Sequence, residues 1–385
     1  MIKKIVIITA ILGYTVVIKV EAKDYFLASN GKDTNSGTVD KPFKTLKRAL
    51  DVLKAGDILN IRGGTYPLGD VISISGEREH PIVIQGYRDE NVKFVGTYGD
   101  DKIYDVNQNN AKNSFTITGD WLILRNLDIG HGATGLLIKS NSSHNRFENL
   151  KLHDNYYSGL LMKDGAEYNT IINCDAYRNF DSNTNGQHAD GFVVTGKSSD
   201  AKPFVGVGNE FINCRSWNNS DDGFDVWQAG NPISFINCLS YDNGKDIWHK
   251  GNFQGDGNGF KLGVHNRAGH PRDAHTVVGC KAWNNNGRGF DSNDNKVAIT
   301  LYNNVSWKNR KAGYKFILTN HTLIDNIDMD SGRNYIDNYS FQLNNSWNRK
   351  GYNPKSDISS FDDTTIKGER DSNGHFISKG FLDRK

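Results

Sequence analysis

One nine-residue phrase recurs along this chain, and its spacing restricts the fold more than any other feature. It reads IINCDAYRN, FINCRSWNN, FINCLSYDN and VVGCKAWNN around Cys174, Cys214, Cys238 and Cys280. It continues without cysteine as FENLKLHDN, LYNNVSWKN and QLNNSWNRK. With the cysteine position as zero, position three is His153, Tyr177, Trp217, Tyr241, Trp283, Trp307 and Trp347. Position five is Asn155, Asn179, Asn219, Asn243, Asn285 and Asn309. The zero positions at 150, 174, 214, 238, 280, 304 and 344 are separated by 24, 40, 24, 42, 24 and 40 residues, so bare turns alternate with turns carrying an insertion.

A repeat of this length, made of short strands with alternating apolar positions and Asn or Gly at corners, suits a parallel β-helix. Glycine at 40 residues against 7 prolines and 3 methionines fits a chain of tight turns, where Gly and Asn tolerate left-handed backbone. The expected class is all-β, a right-handed parallel β-helix with an N-terminal amphipathic capping helix. Equivalent positions then stack about 4.8 Å apart. The asparagines form an internal amide ladder. The cysteines form a buried column, read as free core thiols because Leu150 and Asn304 occupy the same position, although a disulfide between adjacent coils is geometrically allowed. The aromatic column is read as packing rather than a sugar platform, and no CxxC-type zinc site is present.

The two ends differ from the repeat. Residues 1–22 open with two lysines, Lys3 and Lys4, followed by an apolar run from Ile5 to Ile18 and by Val20-Glu21-Ala22, which fits a secretory signal peptide. The apolar run is short for a membrane span, so a secreted or periplasmic protein is expected, with no membrane association. Residues 23–385 read as one catalytic solenoid domain, with a cap region over 23–66 and a loop-rich closing segment over 355–385. In the cap, Pro42 opens a helical pattern whose apolar face is Leu46, Ala49, Leu50 and Leu53, and Gly56 ends it. The net charge of +2, with signs interspersed, argues against nucleic acid as a partner, and a monomer is expected.

A second phrase follows the first in most coils: SGLLM, DGFVV, DGFDV, NGFKL, RGFDS and AGYKF, around Gly159, Gly191, Gly223, Gly259, Gly289 and Gly313. Aligned on glycine, the variable outward position runs Leu161, Val193, Asp225, Lys261, Asp291, Lys315. The position before glycine runs Ser158, Asp190, Asp222, Asn258, Arg288, Ala312. Asp190, Asp221, Asp222, Asp225 and Lys261 therefore converge on one face. Crowded carboxylates repel one another, but a Ca²⁺ ion takes about six to eight oxygen ligands and turns that repulsion into coordination. The plain alternative is a solvated acidic corner. Lys261 has two readings that the columns leave open. It either neutralises Asp225 or Asp291, or acts as a base that requires a cation among the carboxylates, since these would otherwise hold its proton.

HADGFVV, SDDGFDVW and GNGFKLG resemble the family 9 polysaccharide lyases, which include pectate lyases and rhamnogalacturonan lyases. SNGKDTNSGTVDKPFKTLKRAL with AGDILNIRGGTY resembles the cap these share with other β-helix polysaccharide enzymes. The resemblance implies Ca²⁺ held by Asp190, Asp221, Asp222 and Asp225, with Lys261 as the base. It further implies β-elimination at a uronate of an acidic pectic polysaccharide, either polygalacturonate or rhamnogalacturonan I. Arg288 and Lys315 continue the active columns, and His265, Arg267, His270 and Arg272 lie in the loop after Lys261, all positioned to pair with uronate carboxylates. Two rivals remain: a β-helix glycoside hydrolase using Asp222 with Asp225, and a non-catalytic carbohydrate-binding solenoid stapled by calcium.

Overall fold

The computed structural model describes residues 22–96, 113–196, 204–263 and 274–385. Apart from Ala22, the signal-peptide region lies outside the described residues. The described chain winds through three parallel sheets of twelve, ten and ten strands. A typical coil passes from Arg146–Glu148 in the first sheet to Lys151–His153 in the second and Ser158–Met162 in the third, then returns to the first at Thr170–Ile172. This is a parallel β-helix.

The corners explain the recurring asparagines. Asn149, Asn173, Asn213, Asn237 and Asn303, each just before position zero, have φ between 51° and 56°, and Gly279 takes the same place at 65°. Asn and Gly are the residues that adopt this left-handed conformation at least cost. Inside, the four cysteines are free and fully buried. The position-five asparagines form the expected ladder: Asn179 Nδ2 donates to Asn219 Oδ1 at 2.7 Å, Asn219 to Asn243 at 3.0 Å and Asn243 to Asn285 at 3.0 Å. Phe192, Phe224, Phe260, Phe290 and Tyr314 stack beneath the third sheet with centroids 4.7 to 5.0 Å apart. Satisfied amides and stacked rings hold successive coils at one pitch.

Two expectations need correction. From Cys280 the zero position passes to Asn304, Asn326 and Asn345: Cys280 N donates to Asn304 Oδ1 at 2.8 Å, and Asn304 Nδ2 and Asn326 Nδ2 each donate to the next amide at 3.0 Å. The interval from 304 to 344 is thus two shorter coils, not one coil with an insertion. The hidden coil, TLIDNIDMD, carries Met329 where an aromatic marks the others, in register with Trp307. Trp347 leaves the column altogether, in a 3₁₀ turn over Ser346–Asn348 with its ring 4.9 Å from Tyr314. At the other end only Leu46–Leu50 is helical. Asp33 accepts the backbone N–H groups of Lys44 and Thr45 and holds the chain extended, and Thr45 rather than Pro42 marks the helix start by accepting from Arg48 N at 3.2 Å. Leu46, Ala49 and Leu53 join Leu27 and Leu59 in the main core. The region read as a cap also supplies strands to the stack, Asp24–Leu27 and Ile58–Ile61.

The position-three rings stack down the second sheet, His153 on Tyr177 at 4.8 Å, Tyr177 on Trp217 at 4.4 Å and Tyr241 on Trp283 at 4.3 Å. The closing segment covers part of this column. Phe381 meets Trp283 edge-on at 4.9 Å, Asp363 accepts from Trp283 Nε1 at 3.0 Å, and Arg370 reaches Asp175 at 2.6 Å. These rings are packing.

His153 at the N-terminal end of that column lies between Asp128 and Asp154, 2.8 Å from each. Burial alone would lower its pKa, but the two carboxylates reverse this and raise it from 6.5 to about 9. The protonated ring therefore stabilises the fold fully below pH 6.5, and that contribution is lost as pH rises through about 9. His153→Gln should lower the melting temperature at pH 6 and flatten its decline between pH 6.5 and 9. The contribution is on the order of 3 kcal/mol. Thermal melts across that window check it, and an unchanged slope would exclude His153 as the source.

Candidate active site

The third sheet brings together the residues aligned on glycine. Leu161 pairs with Val193, Val193 with Asp225, Asp225 with Lys261, Lys261 with Asp291 and Asp291 with Lys315. The outward face is not uniformly wet. Leu137, Leu161 and Val193 form a buried apolar cluster of their own, with Tyr157 against it.

Beside that cluster the carboxylates of Asp190, Asp222 and Asp225 each place an oxygen within 4.8 Å of the others. All three are buried, as is Asp221, so the solvated-corner reading fails. Backbone N–H groups fix each one. Asp190 Oδ1 accepts from Asp222 N at 2.7 Å, Asp222 Oδ1 from Asn258 N at 2.6 Å, Asp225 Oδ1 from Trp227 N at 2.8 Å and Asp221 Oδ1 from Asp256 N at 2.7 Å. In the same column Asn258 Oδ1 accepts from Arg288 N at 3.0 Å. One oxygen of each aspartate thus belongs to the scaffold, and the second oxygens of Asp222 and Asp225 face Lys261. Asp221 lines the same cleft but stands outside the close group of three.

Lys261 Nζ lies 3.1 Å from both Asp222 Oδ2 and Asp225 Oδ2, so its ion-pair partners are these two aspartates. Burial and mutual repulsion raise the carboxyls of Asp190 and Asp221 well above the ordinary range. Asp222 rises to about 6 through burial, which Lys261 only partly offsets. Burial would lower the pKa of Lys261, but Asp225 and Asp222 hold its ammonium well above the usual value. One lysine does not neutralise four buried carboxylates. The donors are hard, anionic and under-compensated, which fits a divalent cation of the calcium type.

The other expected residues fall differently. Arg288 is paired with Asp291 at 2.9 Å, and Lys315 lies 3.1 Å from Asp294 and 3.8 Å from Asp291. Both continue the columns, but as members of an adjoining ion-pair group rather than open cations. His265, Arg267, His270 and Arg272 lie outside the described residues. The cleft, of about 270 Å³, also takes in Tyr157, Lys163, His188, Thr195 and Trp227, which column counting did not single out. Of these only His188 and Trp227 carried a signal, as neighbours in HADGFVV and SDDGFDVW. The walls come from the insertions, which pack on one another: Trp248 stacks on Phe180 at 4.6 Å, and Gln254 N donates to Asn185 O at 3.0 Å.

A parallel β-helix that gathers a buried acidic group and a lysine in one cleft has the parts that a polysaccharide lyase of this fold uses. Residues 25–334 match the family model described as Pel9A-like, right handed beta helix region, and the chain belongs to that family. It is 32% identical to pectate lyase L of Dickeya chrysanthemi over 91% of this chain and 81% of that one. It is 29% identical to pectate lyase PEL9 of Emericella nidulans, over 94% and 92%. Among solved structures, pectate lyase Pel9A superposes with a TM-score of 0.80 at 28% identity, covering 95% of this chain and 90% of that one. A rhamnogalacturonan lyase superposes equally well at 0.80, with 27% identity, covering 94% and 97%. The chain is a polysaccharide lyase of right-handed parallel β-helix fold.

Proposed function

We propose that this protein is a secreted, calcium-dependent lyase that cleaves an acidic pectic backbone at a uronate by β-elimination, with Lys261 as the base. The observation that carries this reading is that Lys261, a residue of the cleft lining, holds its Nζ 3.1 Å from two buried carboxylates. Asp190, Asp222 and Asp225, with Asp221 beside them, are the residues that would hold the cation. A divalent ion there would supply charge that offsets the carboxylates' hold on Lys261 and draws electron density from a uronate carboxylate.

Lys261 then takes the C5 proton as that C–H bond breaks, the C4–O bond breaks with its electron pair leaving on oxygen, and a C4–C5 double bond forms. The released oxygen takes a proton from solvent. Backbone N–H groups that donate to one oxygen each of Asp190, Asp221, Asp222 and Asp225 fix the orientation of the carboxylates during this transfer. We further read residues 23–385 as one catalytic domain behind an export signal in 1–22, acting as a monomer. No described helix is long and apolar enough to cross a membrane.

With polygalacturonate or rhamnogalacturonan I as substrate, ultraviolet absorbance from the unsaturated product should rise in step with new reducing ends. Reducing ends without absorbance would mean hydrolysis and overturn the reading.

A further inference from the structure

Resting on that reading, we propose that Lys163 is a substrate-binding residue that takes the carboxylate of a second uronate, about two sugars from the scissile one. The cleft draws its lining from four successive coils, Tyr157 and Lys163 from one, Val193 from the next, Asp225 and Trp227 from the third and Lys261 from the fourth. It therefore runs along the solenoid axis.

Alternate residues of a strand share a face, so Lys163, two beyond Leu161, belongs to the same outward row as Thr195 and Trp227. The ladder reaches that far: Thr195 N donates to Met162 O at 3.0 Å and Gly196 N to Gln228 O at 2.7 Å. Coils stack about 4.8 Å apart, close to the advance of one pyranose in an extended glycan, so the two coil steps from Lys163 to Trp227, which shares its coil with Asp225 of the acidic group, correspond to two sugars. The Lys163 side chain is 13% exposed, lines the cleft and lies 3.7 Å from the Asp164 carboxylate. Among the described residues the intervening coil lines the cleft with Gln187, His188, Asp190, Val193, Thr195 and Gly196, and with no lysine or arginine. The cleft thus offers a lysine or a cation-holding group at two positions, separated by one that has neither lysine nor arginine. A polymer of uronates and one in which uronate alternates with a neutral sugar both meet that pattern.

The test uses Lys261→Ala as a non-cleaving parent, in calcium, titrated by calorimetry with hexagalacturonate and with its carboxyl-reduced counterpart. Adding Lys163→Met should weaken the acidic hexamer about tenfold, the equivalent of about 1.4 kcal/mol, and leave the neutral one unchanged. Lys163→Arg should restore binding. No loss, an equal loss for both ligands, or no binding of the acidic hexamer by the parent would each overturn the proposal. A selective loss in a protein whose wild type forms no unsaturated product would keep Lys163 in its role and sink the elimination instead.

Discussion

Lys261→Ala should lower lyase turnover about a thousandfold, within the range general-base removal produces, while the protein keeps its cooperative melt in calcium. The more informative companion is Lys261→Arg. Arginine preserves a cation beside Asp222 and Asp225, but a guanidinium does not give up its proton in a protein. If Lys261 is the base, Lys261→Arg is as inactive as the alanine variant. If Lys261 only balances charge, arginine should retain most of the activity. Product absorbance gives the rate and circular dichroism the fold. Activity above a tenth of wild type in either variant would return Lys261 to the ion-pair role that its 3.1 Å contacts also permit.

Removal of the cation is the second large effect, and it has a readout independent of turnover. In chelator the wild type should lose activity and melt earlier, and calcium, not magnesium, should restore both. A ligand that binds only the folded state stabilises it by about 2.7 kcal/mol at one hundred times its dissociation constant. Asp222→Asn sharpens the test, because asparagine keeps an acceptor for Asn258 N and removes the charge, together with the oxygen that faces Lys261. Folding raises the Asp222 carboxyl from 3.8 to about 6, so above that pH its ionised form costs stability in the metal-free protein. Asp222→Asn should therefore melt later than wild type in chelator at pH 8 and earlier in calcium. A variant still stabilised by calcium to the wild-type extent would remove Asp222 from the ligand set.

Much of this was legible because a solenoid turns sequence spacing into spatial register. Once the coil period is known, residues one period apart are neighbours, so Asp190, Asp222, Asp225 and Lys261 could be brought together by alignment on Gly191, Gly223 and Gly259. The same procedure failed where the marker changed. Met329 replaced the aromatic, and a coil passed unseen between Asn304 and Asn345. Helix length was likewise misjudged, because Asp33 holds the chain extended up to Thr45 through contacts remote in sequence.

The sequence by itself determined the coil, its left-handed asparagine corners, its amide ladder and the column holding the acidic group and Lys261, since each follows from one turn repeated at constant pitch. Only the tertiary structure decided that the carboxylates are buried and pinned by backbone N–H groups, that Arg288 and Lys315 are engaged by Asp291 and Asp294, and that the closing segment covers part of the aromatic column. It also added Lys163 to the cleft. Those outcomes depend on how insertions and the C-terminal segment dock on the stack, through contacts that have no period and so leave no pattern in the sequence.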